Sequence, residues 1–148
     1  MRDALGFNAW HADVANSPAC ALIFQRTLGL PSQVVSNSLL PGAGIAEVAA
    51  ALRVTPRQIL VDLARGRGGY GREVARRTGA RLAGLDFSAV AVAIAAHGGP
   101  CSRARFCVGD FTAPGLRDHS DHAVMCIDAV QFSDPPDEPD ARSARGWL

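Results

Sequence analysis

The chain has 148 residues, 48% of them hydrophobic and 20% charged, with a net charge of +1. That length suits one domain with a real core, the composition excludes a disordered chain, and the near-neutral charge excludes a broad nucleic-acid footprint. No apolar run reaches the roughly 18 residues of a membrane span, and the N-terminus lacks a signal-peptide pattern, so a soluble, cytoplasmic protein is expected.

Residues 1–35 read as helical. Ser17-Pro18 is an N-cap followed by Pro at the first helical position. The apolar stretch Ala19 to Leu28 is stopped by Gly29 and Pro31. Ser36-Asn37-Ser38 is a polar break, and the Ala-rich segment Gly44 to Leu52 makes the next helix. Gln58 to Leu63 reads as the first strand. A glycine turn follows, then a helix over Arg72 to Thr78 with Gly79 as its left-handed cap. Arg81 to Leu85 is the second strand, ending at Asp86. Ser88 caps a helix over Ala89 to His97. Ala104 to Val108 and Ala123 to Ile127 are the third and fourth strands. Strands alternating with helices of this length predict βαβ units and a parallel sheet, an α/β fold.

The richest stretch is ILVDLARGRGGYG, Ile59 to Gly71, with Gly66, Gly68, Gly69 and Gly71 just beyond an aliphatic strand. A strand feeding such a turn is how an α/β fold builds a ligand site at the carboxyl edge of its sheet. Each strand also ends in an acid or an acid-bearing turn: Asp62, Asp86, Asp110 and Asp128. In a parallel sheet those ends share one edge. Gly66-x-Gly68-x-x-Gly71 matches the dinucleotide fingerprint, and Asp86 stands about twenty residues on, where a ribose-binding acid is expected. A nicotinamide-dependent oxidoreductase is therefore one reading. Against it stand Asp62 before the turn, Arg65 and Arg67 around Gly66 in a turn that suits a carboxylate, and the third acid in Gly109-Asp110-Phe111.

VDLARGRGGYG, then AGLDFS (Ala83 to Ser88), VGDF (Val108 to Phe111) and AVMCIDAVQF (Ala123 to Phe132) occur in this order. Over about residues 36–134 they resemble the successive motifs of the class I S-adenosylmethionine-dependent methyltransferases, most of all the small-molecule branch. The resemblance implies a Rossmann-like parallel sheet, S-adenosyl-L-methionine as cofactor and a small-molecule methyl acceptor. It also implies roles. Ala64, Gly66 and Gly68 would let the backbone approach the methionine portion. Asp62 would face its ammonium through water. Asp86 would accept from both ribose hydroxyls, beside Ser88, and Phe87 would pack on the adenine. Asp110 would accept from the adenine amino group, and the Phe111 amide would reach a ring nitrogen. Asp128 would border the sulfonium and the acceptor. An acidic, partly aromatic wall suits a cationic sulfur. Asp128, Gln131 and His11 are the candidates to assist or orient the acceptor, and Phe7, Trp10 and Phe24 are candidates to line a helical substrate cover over residues 1–35. Arg65 stands where the family has a small residue and is expected to crowd the methionine end.

Other features have plainer readings. Arg65, Arg67, Arg72, Arg76, Arg77 and Arg81 read mainly as a solvated helix face. His119-x-x-His122, beside Asp118 and Asp121, lies in a polar loop with no third metal ligand. Cys20, Cys101, Cys107 and Cys126 read as buried or half-buried free thiols. After Phe132 the sequence SDPPDEPDARSARGWL shows neither strand nor helix periodicity, so residues 133–148 read as a disordered Pro/Asp-rich tail. The resemblance implies a sheet of seven strands, so the domain over 36–132 is expected to be an incomplete one of about four strands, order 3-2-1-4. The fourth strand would be left as an unprotected edge. A truncated methyltransferase of reduced activity fits this, and so does a non-catalytic remnant of the fold that dimerises through that edge.

Overall fold

The computed structural model describes residues 4–36, 38–98, 103–117, 119 and 122–130. Its helices are α1 (Ala4–Ala15), α2 (Pro18–Thr27), α3 (Gly42–Ala51), α4 (Gly69–Thr78) and α5 (Ala89–His97). Its strands are β1 (Ile59–Leu63), β2 (Arg81–Asp86), β3 (Ala104–Val108) and β4 (Ala123–Cys126). The sheet is parallel throughout, as the alternating pattern predicts, in the order β3-β2-β1-β4 that the family resemblance implies. Register sets Asp62 beside Gly84 and Leu63 beside both Leu85 and Cys126, which brings the carboxyl ends of the strands onto one edge.

Side-chain alternation divides the core between the two faces of the sheet. Leu60 and Leu82 join Ile45, Tyr70, Val74 and Met125 in the larger cluster, which α3 and α4 cover. Val61, Leu63 and Leu85 point the other way and close around Phe111. The same alternation puts Asp62 on the face of Leu60, and hence beneath α4.

Helix bounds follow local chemistry. Ser88 caps α5 as expected, its hydroxyl accepting from the Ala91 amide at 3.1 Å. Gly79 ends α4 with φ +76°. Helix α4 starts at Gly69, before the expected Arg72, because Gly68 adopts a left-handed conformation (φ +76°) that turns the chain directly into the helix. Gly69 is also required by packing. A Cβ there would collide with the backbone of Val35, which crosses the start of α4. One cysteine departs from expectation: Cys107 is exposed, since β3 is an edge strand. Cys101 and the segment 131–148, including the expected tail, lie outside the described residues.

Candidate functional site

The chain leaves β1 through Ala64 (φ +50°), Gly66 (φ +52°) and Gly68 (φ +76°), three left-handed residues in five. This coils the backbone tightly enough for the amide of Gly66 to turn back on the sheet and donate to Asp86 Oδ2 at 2.7 Å. The other oxygen of Asp86 accepts from the Ser88 amide at 2.8 Å. Asp86, 4% exposed, therefore clamps the glycine turn to the start of α5 and keeps one further lone-pair direction on each oxygen.

Arg65, the residue expected to crowd the methionine end, lines the cavity beside the turn. Its side chain crosses β2 where Gly84 offers no Cβ, and its guanidinium lies 4.1 Å from the centroid of the Phe106 ring. Nη1 donates to the Gly66 carbonyl at 3.1 Å. Arg72 approaches the same ring at 4.9 Å and donates to the Ala95 carbonyl at 2.6 Å. Two members of the expected solvated arginine face thus serve as interior braces, and Phe106 is their platform.

A cavity of about 630 Å³ opens at this edge of the sheet. Its floor comes from Ala64, Arg65, Gly66, Arg67, Asp86 and Phe87, and one side from Phe111, Ile127, Asp128 and Ala129. Helix α1 forms the opposite wall with Gly6, Phe7, Trp10 and His11. The wall is fixed by Asn8, whose Oδ1 accepts from the Ser88 hydroxyl at 2.7 Å and the Val90 amide at 3.4 Å. Phe7 meets Phe87 edge-on at 5.0 Å between centroids. Ser36, Ser38 and Leu39 complete the rim. Tyr70 holds that rim by donating towards the carbonyls of Ser38 (3.0 Å) and Leu40 (2.8 Å).

Of the residues singled out from sequence, Ala64, Gly66, Asp86, Phe87, Phe111, Asp128 and His11 meet on this cavity. Asp62, Gly68, Ser88, Asp110 and Phe24 are not among its lining residues, and Gln131 lies outside the described residues. Asp62 is 3% exposed and accepts from the Gly71 amide inside α4. Asp110 Oδ1 accepts from the Thr112 amide (2.8 Å) and hydroxyl (2.6 Å), a local turn. Asp128, left-handed at φ +53°, accepts from the Leu39 amide at 2.7 Å. It ties the end of β4 to the rim. His122 serves the sheet, its ring accepting from the Ile59 amide at 3.3 Å. The roles of Asn8, Tyr70 and Ser36 carry no sequence signal beyond a polar break at 36–38. They depend on contacts between segments distant in the chain.

Burial governs the electrostatics. Asp62 is pushed up to about 7, first by desolvation and then by Asp86, against the opposing pull of Arg65 and the Gly71 amide. His11 is 5% exposed. Its pKa is lowered by burial first, with Asp86 opposing and Arg67 and Arg65 adding to the effect, so it is a neutral imidazole near pH 7. The two loop arginines are lowered chiefly by desolvation.

A parallel sheet with a left-handed glycine turn after β1, closed by the acid that ends β2, defines a Rossmann-like protein with a ligand site at its carboxyl edge. The methyltransferase-domain family profile matches residues 60–145, and the chain belongs to that family. The match reaches into the segment that sequence reading set apart as a tail. Among solved structures, the chain is similar to a complex of the Haloferax volcanii Trm112 methyltransferase activator with a methyltransferase. There the identity is 25%, the TM-score 0.59, and the match covers 85% of this chain and 47% of that one. It is also similar to an S-adenosylmethionine-dependent methyltransferase of Geobacter sulfurreducens in complex with S-adenosyl-L-homocysteine, at 25% identity and TM-score 0.53, covering 75% and 45%. A Haemonchus contortus phosphoethanolamine N-methyltransferase shares the fold at 18% identity and TM-score 0.58, covering 81% and 28%. The chain thus spans about half, or less, of these structures' lengths. No curated protein matches it. Among the described residues, no helix is long and apolar enough to cross a membrane.

Proposed function

We propose that the cavity binds S-adenosyl-L-methionine and that the chain is the cofactor-binding part of a methyltransferase acting on a small-molecule acceptor. The observation that carries this reading is the meeting of Gly66, Asp86, Phe87 and Phe111 on one cavity, in a chain of the methyltransferase-domain family. The residues fit such a cofactor. Asp86 has lone pairs left for ribose hydroxyls, Phe87 and Phe111 offer apolar faces to a base, and the turn at Gly66 brings bare backbone to the cavity. When bound, the cofactor would supply an electrophilic methyl group on a cationic sulfur, with the neutral thioether as leaving group for an acceptor's lone pair.

The protein's own contribution is placement and charge. Holding acceptor and methyl in line supplies much of the rate in such a displacement. The acidic side of the cavity at Asp128 and Asp86 favours a cation there. An acceptor hydroxyl or amine must lose a proton. His11, neutral, buried and on the cavity wall, is the described residue best suited to take it.

Calorimetry with S-adenosylmethionine and S-adenosylhomocysteine tests the reading. Saturable binding of both is expected. A folded sample giving no heat at about millimolar ligand, some 4 kcal/mol of binding free energy, rejects it.

A second reading rests on β4. Among the described residues it pairs with β1 alone, leaving a parallel sheet with an open apolar edge. Pairing of two copies along that edge would protect it. Sedimentation equilibrium should then show a dimer, and a folded monomer at all concentrations counts against it.

A further inference from the structure

Helix α1 walls the cavity without being part of the core. None of its residues belongs to either hydrophobic cluster of the described residues, and among its described side chains only His11 is buried. Phe7, Asn8 and His11 share the face of the helix that meets the body of the protein. Asn8 supplies a polar contact there. Its Oδ1 accepts from the Ser88 hydroxyl at 2.7 Å and from the Val90 amide at 3.4 Å. Val90 lies in the first turn of α5, where a helix has no carbonyl of its own for its amides. Ser88 serves the next amide, that of Ala91, so Asn8 completes from another element the cap that Ser88 begins. An amide oxygen has two lone pairs, which suits it to both donors.

The contact closes a ring of interactions. Asn8 holds Ser88, the Ser88 amide donates to Asp86 Oδ1 at 2.8 Å, and Asp86 Oδ2 accepts from the Gly66 amide at 2.7 Å. The ring ends back on α1, where His11 Cε1 lies 3.4 Å from where a Cβ on Gly66 would be. His11 Nδ1 is buried and makes no hydrogen bond among the described residues, so nothing at that nitrogen orients the imidazole and its place follows that of α1. We infer that Asn8 is a positioning residue: its grip on the start of α5 sets α1 across the cavity and fixes the His11 imidazole relative to Asp86 and the glycine turn. The inference rests on the cofactor reading above and deepens it, naming what places the proposed proton acceptor against the bound ligand. A misplacement of about 1 Å costs such a site about 100-fold in rate, which is why a contact away from the chemistry matters.

The test compares the full chain with its Asn8→Ala and Asn8→Asp variants. Alanine removes the acceptor; aspartate keeps an acceptor oxygen and adds a charge favoured at a helix N-terminus. The first readout is the His11 imidazole, followed by NMR as pH is varied. In the wild type, burial, opposed by Asp86 and aided by Arg67 and Arg65, holds it below the ordinary 6.5. In Asn8→Ala it should rise towards that value as α1 loosens and the ring meets water. Hydrogen exchange is the second readout. Amides of α1 should exchange about 10-fold faster in Asn8→Ala, the worth of about one hydrogen bond, with β1 and β2 unchanged. The third is calorimetry with S-adenosylhomocysteine, which Asn8→Ala should bind about 10-fold more weakly. Asn8→Asp should restore both protection and affinity. An Asn8→Ala variant with wild-type His11 titration and α1 protection overturns the inference. Exchange that speeds up equally in the sheet also overturns it, since that marks a purely structural contact. So does unchanged affinity in a variant whose α1 has loosened. A folded wild-type chain that binds no S-adenosylhomocysteine rejects the cofactor reading, while the first two readouts still decide whether Asn8 places α1 and His11.

Discussion

Asp62 is the residue whose sequence role and structural position differ most. Alternation along β1 sends its carboxylate under α4 rather than into the cavity, where Gly71 leaves room for it. With a folded pKa of about 7 against an ordinary value of 3.8, the native state keeps a proton that the unfolded chain releases. Stability therefore falls as pH rises through the unfolded value towards the folded one, and the full cost is present above it. Asp62→Asn keeps an acceptor for the Gly71 amide and removes the charge. The melting temperature of the variant should gain on the wild type between about pH 5 and about pH 8; a difference that ignores pH refutes this. Ala64 is a second local tension. At φ +50° it occupies a region that disfavours any Cβ. Ala64→Gly should stabilise the fold by about 1 kcal/mol, less the added freedom of the unfolded glycine, read as a small rise in thermal midpoint. A fall would show that the methyl group's contacts matter more than its strain.

At the scale of elements, α4 is held by one buried acid. Glu73, 2% exposed, accepts from Arg76 twice, from Arg77 and, across 40 residues, from Gln33. The Arg76 hydrogen bonds are the largest cause of its fall to about 2; burial opposes them, and Arg77 and Gln33 add to them. A lowered carboxylate contributes stability above its unfolded value of 4.5 that is lost as pH falls towards the folded one. Glu73→Gln should cost about 1–2 kcal/mol near neutral pH, modest because Arg76 is largely exposed, and the cost should vanish in acid. Denaturant midpoints at the two pH values measure it. The start of the same helix is less forgiving. Gly69→Ala sets a methyl group against the Val35 backbone, which cannot yield as a flexible side chain would. The variant should lose about 3 kcal/mol or fail to fold, and circular dichroism with a urea titration reports which; a stability within about 0.5 kcal/mol of the wild type would refute the close approach.

For the whole molecule, the competing nucleotide readings differ in what must fit. The glycine spacing alone admits a dinucleotide, but the cavity is bounded by α1 on one side and by Phe111 and Asp128 on the other. A site bounded in this way among the described residues fits one nucleoside with a short charged arm. S-adenosylmethionine should therefore bind more tightly than NADH in the same calorimetric assay, and the reverse order would restore the oxidoreductase reading.

Much of this was legible in the chain. Aliphatic strand runs alternating with helical stretches, Gly79 and Ser88 as caps, and four strand-end acids in order pointed to the parallel sheet and the edge that carries the site, and the family resemblance supplied its 3-2-1-4 order. They are local signals repeated along the sequence, and the handedness of βαβ crossovers leaves few ways to assemble them. Only the tertiary structure decided which acids reach the cavity. Asp86 and Asp128 do, while Asp62 lies under α4 and Asp110 closes its own turn. It also decided that the Arg65 side chain runs across Gly84 to the Phe106 ring while still lining the cavity with Arg67. Those outcomes rest on which side chain fills the space another leaves, and on contacts such as that of the Gly66 amide with Asp86, 20 residues on; a linear pattern holds no record of them.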